Sequence, residues 1–94
     1  MADSEKLAEI FKVLSVDTRL RIVQLLKNKA LCVNALAARL DVTAAVISQH
    51  LRILRNADLV VADRQGYYVH YTLNEKTLRR WQELANGFLR VEAE

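Results

Sequence analysis

Side chains that can read the edge of a base recur along one side of the segment after Thr43. Ser48 and Gln49 carry hydrogen-bonding groups, and Arg52 and Arg55 follow at the spacing that keeps them on the same side of a helix. Apolar residues recur on the other side: Ile47, Leu51 and Leu54. Short hydrogen-bonding groups beside arginines, with no acid among them, suit a duplex groove better than a protein core. The pattern therefore predicts a helix whose polar side faces DNA.

The net charge of +3 is unevenly distributed along the chain. Residues 43–80 contain six Lys and Arg against three Asp and Glu, whereas residues 81–94 contain one Arg against three Glu. Positive charge therefore accumulates around the predicted reading helix, as binding of a polyanion requires. A solvated basic face would give the same count, so charge alone does not identify DNA as the ligand.

Apolar periodicity and turn residues predict five helices and one hairpin in the order α-α-α-α-β-β-α. The predicted helices span 4–14, 17–27, 33–40, 44–56 and 74–91, and the predicted strands span 59–64 and 67–73. Ser4 and Thr43 are the expected N-caps of the first and fourth helices. The second helix is apolar almost all round, which is typical of a central helix, and Gln65-Gly66 is expected to close the hairpin. The fold class is thus mainly α with a small β-hairpin.

Length and composition narrow the class of protein. The 94 residues are enough for a single domain over 1–94. No apolar run approaches the ~20 residues that span a bilayer, and the polar N-terminus is no secretory signal. The lone Cys32 cannot form an internal disulfide, which suits a reducing cytoplasm. The sequence has no glycine-rich phosphate loop, no paired carboxylates and no Ser/His/Asp set, so neither an enzyme nor a bound cofactor is expected.

A helix-turn-helix at about 33–56 followed by a wing at 59–73, with Arg64 at the wing's tip, is a winged-helix arrangement. Four motifs lie in order along the chain: LSVDTRLRIV at 14–23, ALCVNAL at 30–36, ISQHLRILR at 47–55 and DRQGYYVHY at 63–71. In these motifs the chain resembles the ArsR/SmtB family of bacterial metal- and stress-responsive repressors, over about residues 7–89. The resemblance implies a dimeric winged helix-turn-helix repressor that is released from its operator by a signal.

The resemblance also implies where DNA is contacted. The implied contact residues are Thr43, Ala44, Ala45, Ser48, Gln49, Arg52 and Arg64. Base reading would rest on Ser48 and Gln49, because the two alanines stand where relatives often carry Gln and Ser. Thr43 and Arg52 would hold phosphates, and the wing arginine would reach the backbone or the minor groove. The expected partner is a double-stranded operator with an inverted repeat. With two alanines at reading positions, sequence specificity would be modest or would depend on DNA shape.

The first and last helices, about 4–14 and 74–91, carry more apolar surface than one small domain can cover. In the family these helices form the homodimer interface. The expected interface residues are Leu7, Ile10, Phe11, Leu14, Leu78, Trp81, Leu84, Ala85 and Phe88.

The metal sites of the family are incomplete in this chain. Where arsenic sensors carry three cysteines in the third helix, this sequence has Cys32, Asn34 and Ala37, and one thiolate with an amide is a poor site for a soft metal. The last helix contains no His or Cys. Four positions of this helix correspond to those that hold zinc or nickel in other relatives, and they carry Glu75, Thr77, Phe88 and Val91. Only Glu75 has a carboxylate. Metal sensing by either route is not expected.

Several alternatives remain open from the sequence alone. Cys32, near a helix N-terminus, could be a thiol sensor, or it could be a small half-buried filler. The effector could equally be organic, or there could be none. His50 is expected to be packed and hydrogen-bonded, and His70 to be structural. The rival to a DNA-binding regulator is a winged helix that binds protein and has lost DNA.

Overall fold

Five helices and one antiparallel hairpin make up residues 2–92, which are the residues that the computed structural model describes. The elements are α1 (Ala2–Leu14), α2 (Asp17–Leu26), α3 (Val33–Leu40), α4 (Ala44–Asn56), β1 (Val60–Gln65), β2 (Tyr68–Leu73) and α5 (Glu75–Leu89). This order confirms the predicted winged helix-turn-helix class. None of the helices in this range has the length and apolarity that a membrane crossing requires.

The turn between α3 and α4 is built from three residues. Asp41 ends α3 in the left-handed conformation (φ 56°), and the N–H of Val42 donates to the carbonyl of Ala37 at 3.1 Å. This bond satisfies one of the carbonyls that the end of a helix leaves free. Thr43 then caps α4 as predicted, since its Oγ1 accepts from the N–H of Val46 at 3.2 Å. Two well-capped ends therefore set the angle at which α4 leaves α3.

Asp41→Gly should stabilise the fold by about 0.5–1 kcal/mol, because glycine adopts a positive φ without the steric cost that a Cβ brings. Urea unfolding followed by circular dichroism measures the change. Asp63→Gly is the matched control, since Asp63 lies in β1 with an ordinary φ, and there glycine should lower stability. A less stable Asp41→Gly variant would contradict this reading of the turn.

The hydrophobic core lies between α2, α3, α4 and the first residues of the hairpin, and α1 and α5 close it from one side. Its most deeply buried side chains are Ile10, Ile22, Leu36, Ile47, Leu51, Leu54 and Leu59. The expectation that α2 is apolar all round because it is central is wrong in part. Leu20 is exposed, because it lines an open cavity with Leu14 of α1 and Leu78 of α5 and is not packed in the core.

The hairpin turns one residue later than predicted. Its register runs from Val60 opposite Leu73 to Gln65 opposite Tyr68, so the loop is Gly66-Tyr67 rather than Gln65-Gly66. The reason is the backbone of Gly66, which has φ +65° and fits the first loop position of a two-residue turn.

The wing is anchored to the helix-turn-helix beyond its own two strands. Leu31 and Tyr71 exchange two backbone hydrogen bonds, of 3.1 and 2.8 Å, so the residues just before α3 form a short bridge to β2. The wing is therefore held against the start of the helix-turn-helix.

Four predicted helix ends need correction. α2 ends at Leu26, one residue before the predicted end, and Lys27 is its C-cap. α1 begins at Ala2, so Ser4 lies inside the first turn and is not the N-cap. The carboxylates of Asp3 and Glu5 in that turn interact favourably with the positive end of the helix dipole, so the helix begins before Ser4. Asn74 caps α5 instead of starting it, because its Oδ1 accepts from the N–H of Thr77 at 3.4 Å. α5 ends at Leu89, two residues before the predicted end.

Candidate DNA-binding surface

The outward side of α4 carries polar side chains over a buried apolar base. Ser48, Gln49 and Arg52 are exposed. Directly behind them Ile47 and Leu51 are 0% and 1% exposed, packed in the core. Because the apolar side anchors the helix, the polar side is presented to solvent in a fixed orientation. A rigid helix with free hydrogen-bonding groups on its outer side can enter a major groove.

The first turn of α4 is also open. Thr43, Ala44 and Ala45 are exposed, and so is Val46, with 37% of its surface accessible. A helix N-terminus presents free N–H groups and a positive dipole end, both of which favour a phosphate. The Thr43 hydroxyl accepts the capping bond, which leaves its proton available for donation.

Two exposed apolar residues border Gln49 and were not among the predicted contact residues. Val46 and Ile53 lie three residues before and four residues after Gln49 on the helix, and both are 37% exposed. A methyl group beside a hydrogen-bonding amide is the combination that contacts a thymine next to an adenine. The signal that could have found them is the angular position of these residues beside Gln49 on the helical wheel.

The wing presents Arg64 and two tyrosines. Arg64 is exposed in β1 opposite Val69, one residue pair before the end of the strand, so it lies beside the tip and not at the tip as predicted. The tip itself is Tyr67, which is 98% exposed. Sequence reasoning did not select Tyr67 because a tyrosine in an alternating stretch is typical of a strand. Tyr67 follows directly after the only glycine of the predicted hairpin, and this position could have indicated that Tyr67 lies in the turn.

Positive charge on this side of the molecule is not neutralised by neighbours. Within residues 2–92, Arg52, Arg55 and Arg64 form no ion pair, and the acid nearest to Arg64 in sequence, Asp63, accepts a hydrogen bond from Gln65 Nε2 at 3.0 Å. The ion pairs in this range lie elsewhere, at Lys6–Glu9 and Glu75–Arg79. The arginines of α4 and of the wing are thus free of ion pairs within the described residues, as contact with phosphates requires.

His50 lies on the inner edge of α4 and is hydrogen-bonded, as expected. Its Nδ1 accepts from Arg19 Nε at 3.2 Å, so the partner comes from α2, 31 residues earlier. Burial, and secondarily the positive charge of Arg19, hold the pKa of His50 below its ordinary value. The second histidine, His70, is half-buried in β2, and its Nδ1 has no hydrogen-bond partner among the described residues.

Known transcriptional regulators are similar to this chain in sequence. The family model described as "Bacterial regulatory protein, arsR family" matches residues 17–61, which contain α2, the helix-turn-helix and the start of the wing. The Arsenical resistance operon repressor of Escherichia coli is 43% identical over 70% of this chain and 57% of its own length. The Transcriptional repressor SmtB homolog of Synechocystis is 36% identical over 88% of this chain and 64% of its own length. The chain belongs to the ArsR family.

The solved structures agree with this assignment. A homodimeric winged helix-turn-helix DNA-binding domain from Mycobacterium bovis, a possible ArsR-family regulator, superposes with a TM-score of 0.74 at 27% identity. The match covers 99% of this chain and 90% of that one. The chain spans rather less than two thirds of the length of the Escherichia coli and Synechocystis repressors.

Three of the residues predicted for the dimer interface are buried within one protomer. Leu7, Ile10 and Trp81 are buried within the protomer, so they belong to its own core and do not offer surface to a partner. The reason is that α1 and α5 pack on each other and on the core. The half-buried members of the predicted set are Leu14, Leu78, Leu84 and Ala85. Phe11 and Phe88 stay open, 40% and 65% exposed, with ring centroids 6.3 Å apart.

That this chain lacks the metal sites of other family members stays a prediction. Cys32 is a half-buried residue at the N-cap position of α3, with Asn34 and Ala37 in place of further thiols. No three His, Cys, Asp or Glu side chains gather closely enough to hold a metal anywhere in the range 2–92. A role of Cys32 as a thiol sensor stays a prediction.

Proposed function

We propose that this chain is a sequence-specific DNA-binding regulator that acts as a homodimer and represses a promoter by occupying its operator. The observation that carries the proposal is the arrangement of α4. Ser48 and Gln49 are exposed directly over Ile47 and Leu51, which are buried. Membership in the ArsR family, whose named relatives include repressors, supports the same role.

Each contact role follows from the chemistry of an exposed side chain. Gln49 would bind an adenine through its amide, and Ser48 would donate to a neighbouring base. Thr43 and Arg52 would hold phosphates on either side, while Ala44 and Ala45 let the backbone approach closely. Arg64 would contact the backbone or the minor groove from the wing.

Two copies related by a two-fold axis would place their reading helices about 34 Å apart, which is one turn of DNA. The proposed operator is therefore an inverted repeat whose half-sites lie one helical turn apart. Open apolar side chains on α1 and α5, chiefly Phe11 and Phe88, would be covered by the partner. A repressor of this type acts in the cytoplasm, and its inducing signal is not assigned.

Fluorescence anisotropy with selected duplexes tests the proposal. Binding to an inverted-repeat duplex should be salt-sensitive, and unlabelled DNA of unrelated sequence should compete poorly. Capture of no duplex from a randomised pool at low salt would overturn the proposal and would favour a protein-interaction module.

Arg64→Ala and Gln49→Ala should weaken binding in different ways. Arg64→Ala should weaken binding to all sequences and reduce the salt slope by about 2 per dimer, since each protomer loses about one phosphate contact. Gln49→Ala should cost about 1–3 kcal/mol per half-site on the preferred duplex and leave the salt slope unchanged, because it removes a base contact. Anisotropy titrations on preferred and scrambled duplexes at several salt concentrations measure both effects. Equal losses on every sequence for Gln49→Ala would remove it from base reading.

A further inference from the structure

One side chain, Arg19 of α2, contacts both neighbouring helices. Its Nη1 donates to the carbonyl of Val13 at 3.1 Å, in the last turn of α1, where a helix leaves carbonyls without partners. Its Nε donates to His50 Nδ1 of α4 at 3.2 Å. Arg19 is half-buried, so both hydrogen bonds form partly away from solvent. A single guanidinium therefore connects the reading helix to α1, which carries part of the proposed dimer interface.

We infer that Arg19 is a positioning residue for the reading helix, and that DNA binding weakens when His50 becomes protonated. The inference rests on the proposed DNA-binding function. It goes beyond that function because it assigns a pH response to a contact that does not touch DNA.

The chemistry of the contact makes it sensitive to one proton. An imidazole nitrogen accepts a hydrogen bond only while it carries no proton, and the imidazolium form carries a proton on both nitrogens. The guanidinium of Arg19 stays charged at every relevant pH. Protonation of His50 would therefore replace a hydrogen bond of 3.2 Å by two adjacent positive charges. The arginine would then be driven away from His50, and α4 would lose its link to the end of α1.

Within the described residues, no acid makes a hydrogen bond or an ion pair with His50 or Arg19. α4 contains no Asp or Glu, and Arg19 is the charged group that acts on His50 from the packed elements. The neighbouring elements also carry charges that are all exposed and make no hydrogen bond or ion pair with His50: Asp17 and Arg21 of α2, Arg39 of α3, and Asp63 and Arg64 of β1. Neutral His50 is thus the form that the folded arrangement favours.

The direction of the pH effect follows from linkage. Because the pKa of His50 is lowered in the folded protein, the unfolded or loosened form takes up the proton first. The stabilisation from the Arg19 contact is fully present above the ordinary pKa of 6.5 and is lost as the pH falls from there toward the lowered value. DNA affinity that depends on the placement of α4 should fall over the same interval.

The DNA experiment compares the wild type with His50→Asn and His70→Asn at pH 7.5 and pH 5.5. The amide oxygen of Asn can accept from Arg19 and cannot be protonated, whereas His70→Asn removes the other of the two histidines and keeps the contact. We expect the wild type and His70→Asn to lose several-fold more affinity between the two pH values than His50→Asn. The same pH profile for all three proteins would overturn the inference.

A second measurement needs no DNA. In His70→Asn the only imidazole belongs to His50, so its NMR resonance can be titrated alone. Adding Arg19→Gln should move the titration midpoint upward, and an unmoved midpoint would overturn the inference; circular dichroism verifies that the variant is folded. If no duplex binds at pH 7.5 while the midpoint does move, the proposed DNA-binding function fails, and the pH response of DNA binding fails with it. If DNA binds with unchanged profiles, only the inference fails.

Discussion

Phe88→Asp should convert the dimer into a monomer and lower the affinity for an inverted-repeat duplex by about 10²–10⁴-fold. Phe88 is 65% exposed on α5 and packs against Phe11 of α1 at the open end of the molecule. A carboxylate there would have to be buried without a partner at a two-fold interface, which strongly opposes association. Since each protomer would hold one half-site of the proposed operator, a monomer would lose the gain that comes from binding two linked sites.

Gln82→Asp is the matched control for this experiment. Gln82 is exposed on α5, on a different side from Phe88, so the same change of charge should leave the dimer intact. Light scattering after gel filtration gives the mass, and anisotropy gives the affinity. If Phe88→Asp stays dimeric and binds the duplex as tightly as the control, the surface around Phe11 and Phe88 is not the dimer interface.

Ile47→Ala should lower the free energy of unfolding by about 2–5 kcal/mol, because it leaves a cavity under the reading helix. Ile47 is 0% exposed in the core. A small domain has only about 5–15 kcal/mol of stability in total, so the variant should unfold at a clearly lower urea concentration.

Val46→Ala is the comparison for this second experiment, since Val46 is the adjacent residue and is 37% exposed. Its loss of stability should be under about 1 kcal/mol. Val46→Ala should instead lower the affinity for duplexes that carry a thymine opposite the helix. If Ile47→Ala and Val46→Ala lower the free energy of unfolding equally, α4 does not have one buried and one exposed side.

The helices of the DNA-binding half could be predicted to the residue because their signals are local. The apolar spacing of Ile47, Leu51 and Leu54 identifies the buried side of α4, and Thr43 marks its start through a hydroxyl that caps it. The bounds of α3 were likewise correct, since Asp41 sits where the helix ends and the turn begins. Such patterns depend on neighbours within one or two turns.

Features set by distant residues could not be predicted from local patterns. Arg19 and His50 are 31 positions apart, and nothing in either motif indicates that the two side chains meet. The apolar character of Leu7 and Trp81 does not tell whether their own core or a partner covers them. The exposed position of Val46 likewise depends on its angle around α4 and not on its residue type.

The two alanines at the start of α4 are the feature that most favours a protein-interaction module over a DNA-binding protein. Ala44 and Ala45 offer no hydrogen bond to a base. Against that alternative stand Ser48, Gln49 and the unpaired arginines of the same surface, which are suited to bases and phosphates. The two functions predict different contact surfaces, because a protein partner would use apolar area and would depend little on salt.

Hydrogen–deuterium exchange of the dimer, with and without the duplex recovered by selection, tests the central claim most directly. The account predicts that the duplex slows exchange in 43–56 and around the wing at 60–73, and that raising the salt concentration abolishes this protection. Protection confined to α1 and α5, with no change in α4, would contradict it.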